Sequence, residues 1–273
     1  MGRDQERKPD VRCPRCKNDS LYIVGAMEGE VRCNECDARF PVHNGVINLL
    51  PKSTGKRKFG QVMMEWEPII RIYESRYWRK SHFFALRTGI HFDQEFQLVT
   101  KAADFSGNEV FLDLACGPGI YTRPIARTLK QGHVVGLDLS TPMLNHLSRR
   151  AVEEGIRNLT LIRGSALDLP FGDQTFDAVN CCGALHLFPD VARALVEISR
   201  VLMPEGRFTS AVFGKPSGTR ARMIGDFYYR KLGINSFLAE EFELLLQQTG
   251  FRDVTYLHKK EGWGWLVTSA IKK

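Results

Sequence analysis

The chain has 273 residues, of which 43% are hydrophobic and 25% charged, and its formal net charge is +7. This composition is typical of a globular protein with a sizeable core plus an appendage, and the positive charge permits a polyanionic partner without requiring one. No apolar run approaches the roughly 18 residues that span a bilayer, and no apolar signal region follows the charged start, so we expect a cytoplasmic protein without membrane contact.

Two C-x2-C pairs near the amino terminus have the spacing of a four-cysteine metal site. Sixteen residues separate the pairs, which matches a zinc ribbon made of two knuckles and a hairpin. Four thiolates complete a tetrahedral zinc ion, so the metal is expected to be structural. The alternative is two redox pairs, which would each be expected at a helix start beside a strand. The predicted zinc ligands are Cys13, Cys16, Cys33 and Cys36.

The predicted ribbon domain covers residues 1–52, and we expect its small core to be separate from the rest of the chain. Its residues 40–51, FPVHNGVINLLP, resemble the tail of a small zinc-ribbon protein that activates several methyltransferases in trans. This resemblance implies that the ribbon is fused here in cis. His43 is expected to face solvent or a turn, because four cysteines already complete the metal site.

A helical linker and cap are predicted over residues 53–106. Its start, residues 52–58, is polar and basic, which indicates a solvated linker, with nucleic-acid contact as the alternative. Apolar residues then recur at helical spacing over 62–77. Residues 64–79 resemble a segment of uncharacterised bacterial and chloroplast methyltransferases that carry the same ribbon. Further on, Asp93 is predicted to cap a helix.

The rest of the chain is organised around residues 110–119, VFLDLACGPG, where an apolar run with one acid ends in a glycine turn and a helix is predicted over 120–130. The missing side chains of the two glycines let a ligand approach the backbone. The third glycine of a dinucleotide fingerprint and the Walker lysine are absent. The stretch resembles motif I of the class I S-adenosylmethionine (SAM)-dependent methyltransferases. The resemblance implies SAM contacts at Asp113, Ala115, Cys116, Gly117 and Gly119.

Two later blocks continue the resemblance. A second strand is predicted over 132–138, and its terminal carboxylate, Asp138, is placed to accept both ribose hydroxyls. Residues 159–171 resemble motif III, where the chain wraps the adenine, although this family usually has Asp where Ser165 stands. A hydroxyl still accepts from an amino group but lacks charge assistance. The implied SAM contacts are Asp138, Leu139, Met143, Ser165, Ala166 and Leu167.

The fourth and fifth strands of the family also have counterparts. Residues 174–186 resemble its fourth strand and the loop that follows, where Cys182 is expected to let the backbone approach the methionine part of SAM. Residues 202–208 resemble the turn before its fifth strand, with Glu205 in place of the usual first glycine.

The fold class implied is α/β: a Rossmann-like, seven-stranded class I methyltransferase sheet with helices on both faces, plus the amino-terminal ribbon. The methyltransferase domain covers residues 107–273 and ends in an antiparallel strand at 263–271. A substrate-covering insert, with aromatic residues interleaved with arginines, is predicted at about 214–235.

His186 is the candidate catalytic base, because family members often place a histidine just beyond the fourth strand, facing the cleft. The alternative is that His186 only packs under the cofactor or orients the loop. The preceding residues read Asn-Cys-Cys-Gly at 180–183 and lack the Asn/Asp-Pro-Pro-Tyr loop of adenine and glutamine methyltransferases, which argues against that class.

Three functions remain open from the sequence. The first is methylation at oxygen or carbon of a hydrophobic or aromatic small molecule, as in the ubiquinone and menaquinone methyltransferases that the chain resembles. The second is an rRNA or tRNA base methyltransferase, resembling ribosomal-RNA guanine methyltransferases with a zinc ribbon. The third is a non-catalytic SAM-binding scaffold. A monomer or a homodimer is expected in each case.

Overall fold

The computed structural model of the protein describes residues 9–50, 79–215, 233–260, 262 and 264–273. The predicted linker at 52–58, the predicted helix at 62–77 and most of the insert at 214–235 lie outside these residues. The chain forms two compact units: Met1–Lys56, Phe105–Val179 and Arg200–Met203 make up the first, and Arg57–Asp104, Asn180–Ser199 and Pro204–Lys273 the second.

The first unit begins with four short antiparallel strands that carry the ribbon. They are β1 Leu21–Val24, β2 Gly29–Cys33, β3 Arg39–His43 and β4 Val46–Asn48. Three parallel strands follow, within the stretches 110–119, 132–138 and 159–171 singled out from the sequence: β5 Val110–Leu114, β6 His133–Asp138 and β7 Leu159–Arg163. The strand order in this unit is β1-β2-β3-β4-β7-β6-β5, and β8 follows β5.

Burial explains why these segments form strands. All five side chains of β5 are buried, as expected for a strand of a parallel sheet that is covered on both faces. The helices between the strands are α3 Thr122–Thr128 and α4 Thr141–Glu153. Helix α3 is shorter than the predicted 120–130, and α4 begins at Ser140, whose hydroxyl accepts from the Met143 amide at 3.4 Å.

The expectation of a separate ribbon core is wrong. Strand β4 pairs in parallel with β7 and so extends the sheet. Val46 of β4 belongs to one buried apolar cluster together with residues from the glycine turn, α4 and β7. Its other members are Cys116, Leu144, Leu147 and Leu161. Val46 of this small ribbon is thus buried against the larger sheet, whereas Tyr22, Ile23 and Val24 of β1 stay exposed.

The second unit contains α1 His82–Thr88, α2 Phe92–Ala103, α6 Ala239–Gln248, β10 Phe251–Lys259 and β11 Trp265–Lys272. Three elements pass from one unit to the other: β8 Phe176–Cys182, α5 Val191–Val201 and β9 Leu202–Phe213. The strand order here is β8-β9-β11-β10, with β11 antiparallel to both neighbours, as predicted for the final strand.

One predicted cap is wrong in this unit. His91, and not Asp93, is the residue that precedes α2, and Asp93 lies inside the first turn of the helix. A carboxylate in the first turn still favours the helix, because it faces the positive end of the helix dipole. Among the described residues, no helix has the length and apolar character that crossing a bilayer would require.

Candidate active site

A left-handed glycine turn follows β5. Ala115, Gly117 and Gly119 have φ values of 55°, 55° and 84°, a region that side chains with a Cβ rarely adopt. Among the residues that the structure describes, a Cβ on Gly117 would meet nothing within 4 Å, whereas a Cβ on Gly119 would lie 2.2 Å from Leu147 Cδ1. The turn is therefore packed on α4 at Gly119 and open at Gly117. Ala115 tolerates the same conformation with a Cβ, a strain that often marks a functional site.

Two carboxylates fix the turn from different sides. Asp138, the last residue of β6, accepts from the Gly117 amide at 2.8 Å through Oδ2 and from the Ser140 amide at 2.8 Å through Oδ1. The Asp138 carboxylate therefore lies directly beside the backbone of the glycine turn. Asp113 is buried and accepts from Thr122 Oγ1 at 2.5 Å, which ties β5 to the first residue of α3. Asp113 thus supports the turn from within the core.

The residues predicted to surround the adenine lie after the next strands. The Gly164 amide donates to the Asp138 carbonyl at 3.1 Å, so the carboxyl ends of β6 and β7 meet at the same edge as the glycine turn. Ser165 Oγ accepts from the Leu167 amide at 3.2 Å, and Ala166 lies half-buried between them. The sequence could predict this edge because each motif ends where a parallel strand ends, and the carboxyl ends of neighbouring parallel strands lie at one edge of the sheet.

Two further predicted contacts lie beside Asp138. The Leu139 carbonyl accepts from Arg163 Nε at 3.1 Å, and Met143 is buried in the first turn of α4. Arg163 and Thr122 were not predicted as site residues. Arg163 is the last residue of β7, as Asp138 is the last residue of β6, and this position could have marked Arg163 as a site residue from the sequence.

The four predicted zinc ligands lie together. All four Sγ atoms are within 4.8 Å of one another, with 3.7 Å between those of Cys13 and Cys36 and 3.5 Å between those of Cys16 and Cys33. A tetrahedral zinc ion with Zn–S bonds of about 2.3 Å requires sulfur separations of about 3.8 Å. Burial raises the pKa of the Cys33 thiol, but amide donors nearby outweigh it and lower the pKa to about 7, whereas burial and the neighbouring thiols raise the pKa of Cys13, Cys16 and Cys36. The cluster fits zinc in both geometry and chemistry.

His43 is exposed, and its Nδ1 lies 3.0 Å from Glu28 Oε2. The expectation that it faces solvent is confirmed.

His186 lies in a short 3₁₀ turn, Leu185–Leu187, within the second unit, where Cys182 ends β8. Its ring is buried against Phe213 and Trp265, with ring centroids 4.6 and 5.9 Å away. Burial, followed by the positive charge of Arg79, lowers the pKa of His186 to about 3. The imidazole is therefore neutral at physiological pH. Its Nδ1 has no hydrogen-bond partner within the part of the chain that the structure describes.

A buried ion pair lies in the same unit and was not predicted. Arg79 Nη2 donates to Glu95 Oε1 at 2.6 Å, and the Trp265 indole donates to Glu95 Oε2 at 3.1 Å. The Arg79 guanidinium also lies 4.7 Å from the ring centroid of Phe84 and 5.5 Å from that of Phe92. No motif indicated this cluster, because its members are separated by up to 186 residues of chain and meet only through the tertiary fold.

The glycine turn at 115–119 and the carboxyl ends of β6 and β7 are together called the cofactor edge below. Known proteins match the part of the chain that contains it. The family described as a methyltransferase domain matches residues 111–206, which include the glycine turn, Asp138, Ser165 and His186. In solved structures, a phosphoethanolamine N-methyltransferase of Haemonchus contortus in complex with SAM superposes with a TM-score of 0.65 at 20% identity, over 86% of this chain and 62% of that one. The fold is that of the class I methyltransferases.

The same class I fold occurs in a geranyl diphosphate C-methyltransferase of Streptomyces coelicolor, with a TM-score of 0.54 at 15% identity, over 66% of this chain and 76% of that one. Among curated relatives, a demethylmenaquinone methyltransferase of Lactiplantibacillus plantarum is 34% identical over 57% of this chain and 65% of its own length. An uncharacterized chloroplastic methyltransferase of Arabidopsis thaliana is 27% identical over 77% of this chain and 63% of its own. The chain thus spans just under two thirds of the length of these relatives.

Proposed function

We propose that the protein is a SAM-dependent methyltransferase that acts on a hydrophobic or aromatic small molecule, of the quinone-methyltransferase type. The observation that carries this proposal is the glycine turn, which is open at Gly117 and tied by its amide to Asp138. A methyltransferase-domain match over residues 111–206 and relatives named demethylmenaquinone methyltransferase support it.

The residues at this edge would divide the binding of SAM between them. Asp138 is the proposed acceptor for the two ribose hydroxyls, because its carboxylate ends β6 beside the glycine turn, and Ser165 is the proposed acceptor on the adenine side. Gly117 lets the methionine part approach the backbone. The cofactor, when bound, supplies a methyl group on a positively charged sulfur. The protein then has to align an acceptor atom with that group and keep water out.

His186 is proposed to act on the acceptor side, as predicted, and its environment favours orientation over proton removal. A buried imidazole with a pKa of about 3 is neutral but a weak base. A neutral ring packed against Phe213 and Trp265 can instead hold this aromatic cluster in place beside a flat, apolar molecule. On this account, His186→Ala lowers turnover less than the 10²- to 10⁴-fold, roughly, that loss of a general base would cause.

The four cysteines are proposed to hold one structural zinc ion per chain, because the set leaves no open position for chemistry. Cys182 and the insert at 214–235 stay predicted parts of the methionine and acceptor sites. Whether the protein is a monomer or a homodimer stays open.

The experiment is a methyl-transfer assay with labelled SAM against three acceptor pools: quinones, phenols and RNA. We expect label in the quinone or phenol pool, and much less label with Asp138→Ala at the same SAM concentration. The control is Asp173→Ala, which removes an exposed acid of the same unit that is paired with Arg200. Label in RNA alone, with steep salt dependence, would replace the acceptor by nucleic acid. SAM binding without label in any pool would support the scaffold function instead.

A further inference from the structure

We propose that the metal-bound ribbon positions the adenine-side loop, residues 164–172, so that zinc binding and SAM affinity are thermodynamically linked. This inference rests on the proposed SAM site. Three separate contacts within the first unit carry it, and each joins the ribbon to a residue of the loop or to the end of β7.

The first contact is a backbone pairing. The Arg12 amide donates to the Pro170 carbonyl at 2.9 Å, and the Gly172 amide donates to the Asp10 carbonyl at 3.0 Å. Between them, Val11 and Phe171 form an antiparallel bridge, and Phe171 is buried. The paired segment ends directly before Cys13, the first zinc ligand, so the position of the metal knuckle sets the position of this segment.

The second contact comes from the knuckle itself. The Lys17 amide donates to the Cys13 carbonyl at 2.8 Å, which closes the knuckle. The Lys17 ammonium group donates to both carboxylate oxygens of Asp168, at 2.8 and 2.9 Å. Asp168 directly follows Leu167, a predicted adenine contact. The pair is half exposed, so on its own it should contribute little, and it adds mainly to the placement of the loop.

The third contact runs through the end of β7. The Leu49 amide donates to the Arg163 carbonyl at 3.0 Å, and Arg163 Nη1 donates to Asn48 Oδ1 at 3.4 Å. Arg163 Nε in turn donates to the carbonyl of Leu139, which follows Asp138. The ribbon is thus connected to both predicted sides of the adenine site, residue 139 and the loop after residue 163.

Linkage follows from these contacts. Without a metal, the knuckle at residues 13–17 loses the bonds that fix its shape, and the paired segment loses its anchor. SAM would then have to order the loop as it binds, which weakens its affinity. Couplings between sites typically amount to about 5- to 150-fold, and the same factor must appear in both directions.

The decisive test is made on the full chain by calorimetry. Removal of zinc with a chelator should weaken SAM binding by at least about 5-fold, and zinc alone, added back, should restore it. Reciprocally, saturating SAM should raise the zinc affinity by the same factor, measured by competition with a chelator at equilibrium. An unchanged SAM affinity after complete zinc removal, measured on protein that remains folded by circular dichroism, would overturn the proposal. If the stripped protein unfolds, any ligand of the folded protein would help to retain zinc, so the variants that keep their zinc decide instead.

A matched pair of variants tests the contact itself. Arg12→Pro removes the amide that donates to Pro170, whereas Arg12→Ala keeps that amide and removes the side chain. With one zinc per chain retained, Arg12→Pro should bind SAM at least about 5-fold more weakly than Arg12→Ala. Equal affinities would contradict the proposal. If Arg12→Pro loses its zinc or does not fold, Lys17→Ala is compared with its neighbour Arg15→Ala, and a larger loss in Lys17→Ala is expected.

The outcomes also separate this proposal from the proposed function. If wild-type protein binds SAM, and Asp138→Ala abolishes the binding while zinc removal and Arg12→Pro do not change it, the SAM site stands and the ribbon proposal fails. If wild-type protein with one zinc per chain does not bind SAM, the proposed function fails first.

Discussion

The cofactor edge of the first unit depends mainly on backbone conformation, whereas the cluster of side chains around His186 in the second unit depends on side-chain contacts. The cofactor edge is shaped by left-handed residues at 115, 117 and 119 and by backbone amides that donate to Asp138. Around His186, side chains from distant parts of the chain meet, namely Arg79, Glu95, Phe213 and Trp265. Backbone requirements leave local sequence motifs, and side-chain clusters do not. This difference explains why the methyl donor, SAM, is easier to infer from the sequence than the methyl acceptor.

The largest expected effect on stability lies in the second unit. Glu95→Ala leaves the guanidinium of Arg79 buried without its carboxylate partner, because both side chains are almost fully buried. We expect the free energy of unfolding to fall by about 3 to 5 kcal/mol, measured by urea denaturation. The control is Glu240→Ala, which removes an exposed acid of the same unit that lies 3.7 Å from Lys259 and should cost less than about 1 kcal/mol. If both variants lost the same free energy of unfolding, the buried Arg79–Glu95 pair would not stabilise the second unit more than a surface pair does.

Two glycines of one turn separate packing from binding. A Cβ on Gly119 would lie 2.2 Å from Leu147 Cδ1, so Gly119→Ala should destabilise the fold by about 2 to 4 kcal/mol, from overpacking and left-handed strain together. Gly117→Ala meets open space and should cost only the strain, about 1 to 2 kcal/mol, yet should weaken SAM binding more per unit of stability lost. Thermal unfolding and SAM titration check both. The reverse order of stabilities would contradict the assignment of open and packed sides.

Much of the cofactor half could be predicted from sequence, because its signals are local. Strands Val110–Leu114 and Leu159–Arg163 lie within the stretches 110–119 and 159–171 that the sequence singles out, because short apolar runs before turn residues mark them. The pairing of β4 with β7 could not be predicted, because it joins Asn48 to Arg163 across more than a hundred residues. The separate ribbon core was wrongly expected for this reason. The cap at Asp93 was wrong because an acid is favourable both at a cap and in the first turn.

The buried imidazole of His186 predicts a pH dependence. Its folded pKa of about 3 lies below the unfolded value of about 6.5, so the unfolded state binds the extra proton as pH falls through that window. Stability should therefore fall by about 1.4 kcal/mol per pH unit below pH 6.5, which is about 2 kcal/mol between pH 7 and pH 5. His186→Asn should lack this contribution in urea unfolding at the two pH values. Parallel losses in wild type and variant would show that His186 is not buried in its neutral form.

The smallest effect on stability is expected at Glu205 of the second unit, where the backbone conformation favours glycine as it does in the glycine turn of the first unit. Glu205 has a φ of 64°, a conformation that favours glycine, at the position where the resembled family has glycine. Its side chain pairs with Arg252 at the surface, which contributes little. We expect Glu205→Gly to raise stability by zero to about 1 kcal/mol, because relief of strain is partly offset by the greater freedom of glycine in the unfolded chain. A clear loss in thermal unfolding would oppose this.

The central claim, a SAM site at the carboxyl ends of β5 to β7, is tested most directly by one calorimetric titration of the full chain with SAM. Wild-type protein with one zinc per chain should bind one SAM. Asp138→Ala should bind it about 30- to 1,000-fold more weakly, which corresponds to about 2 to 4 kcal/mol for two hydrogen bonds to a charged acceptor. Equal affinity in wild type and Asp138→Ala, or no saturable binding by wild type, would contradict the account.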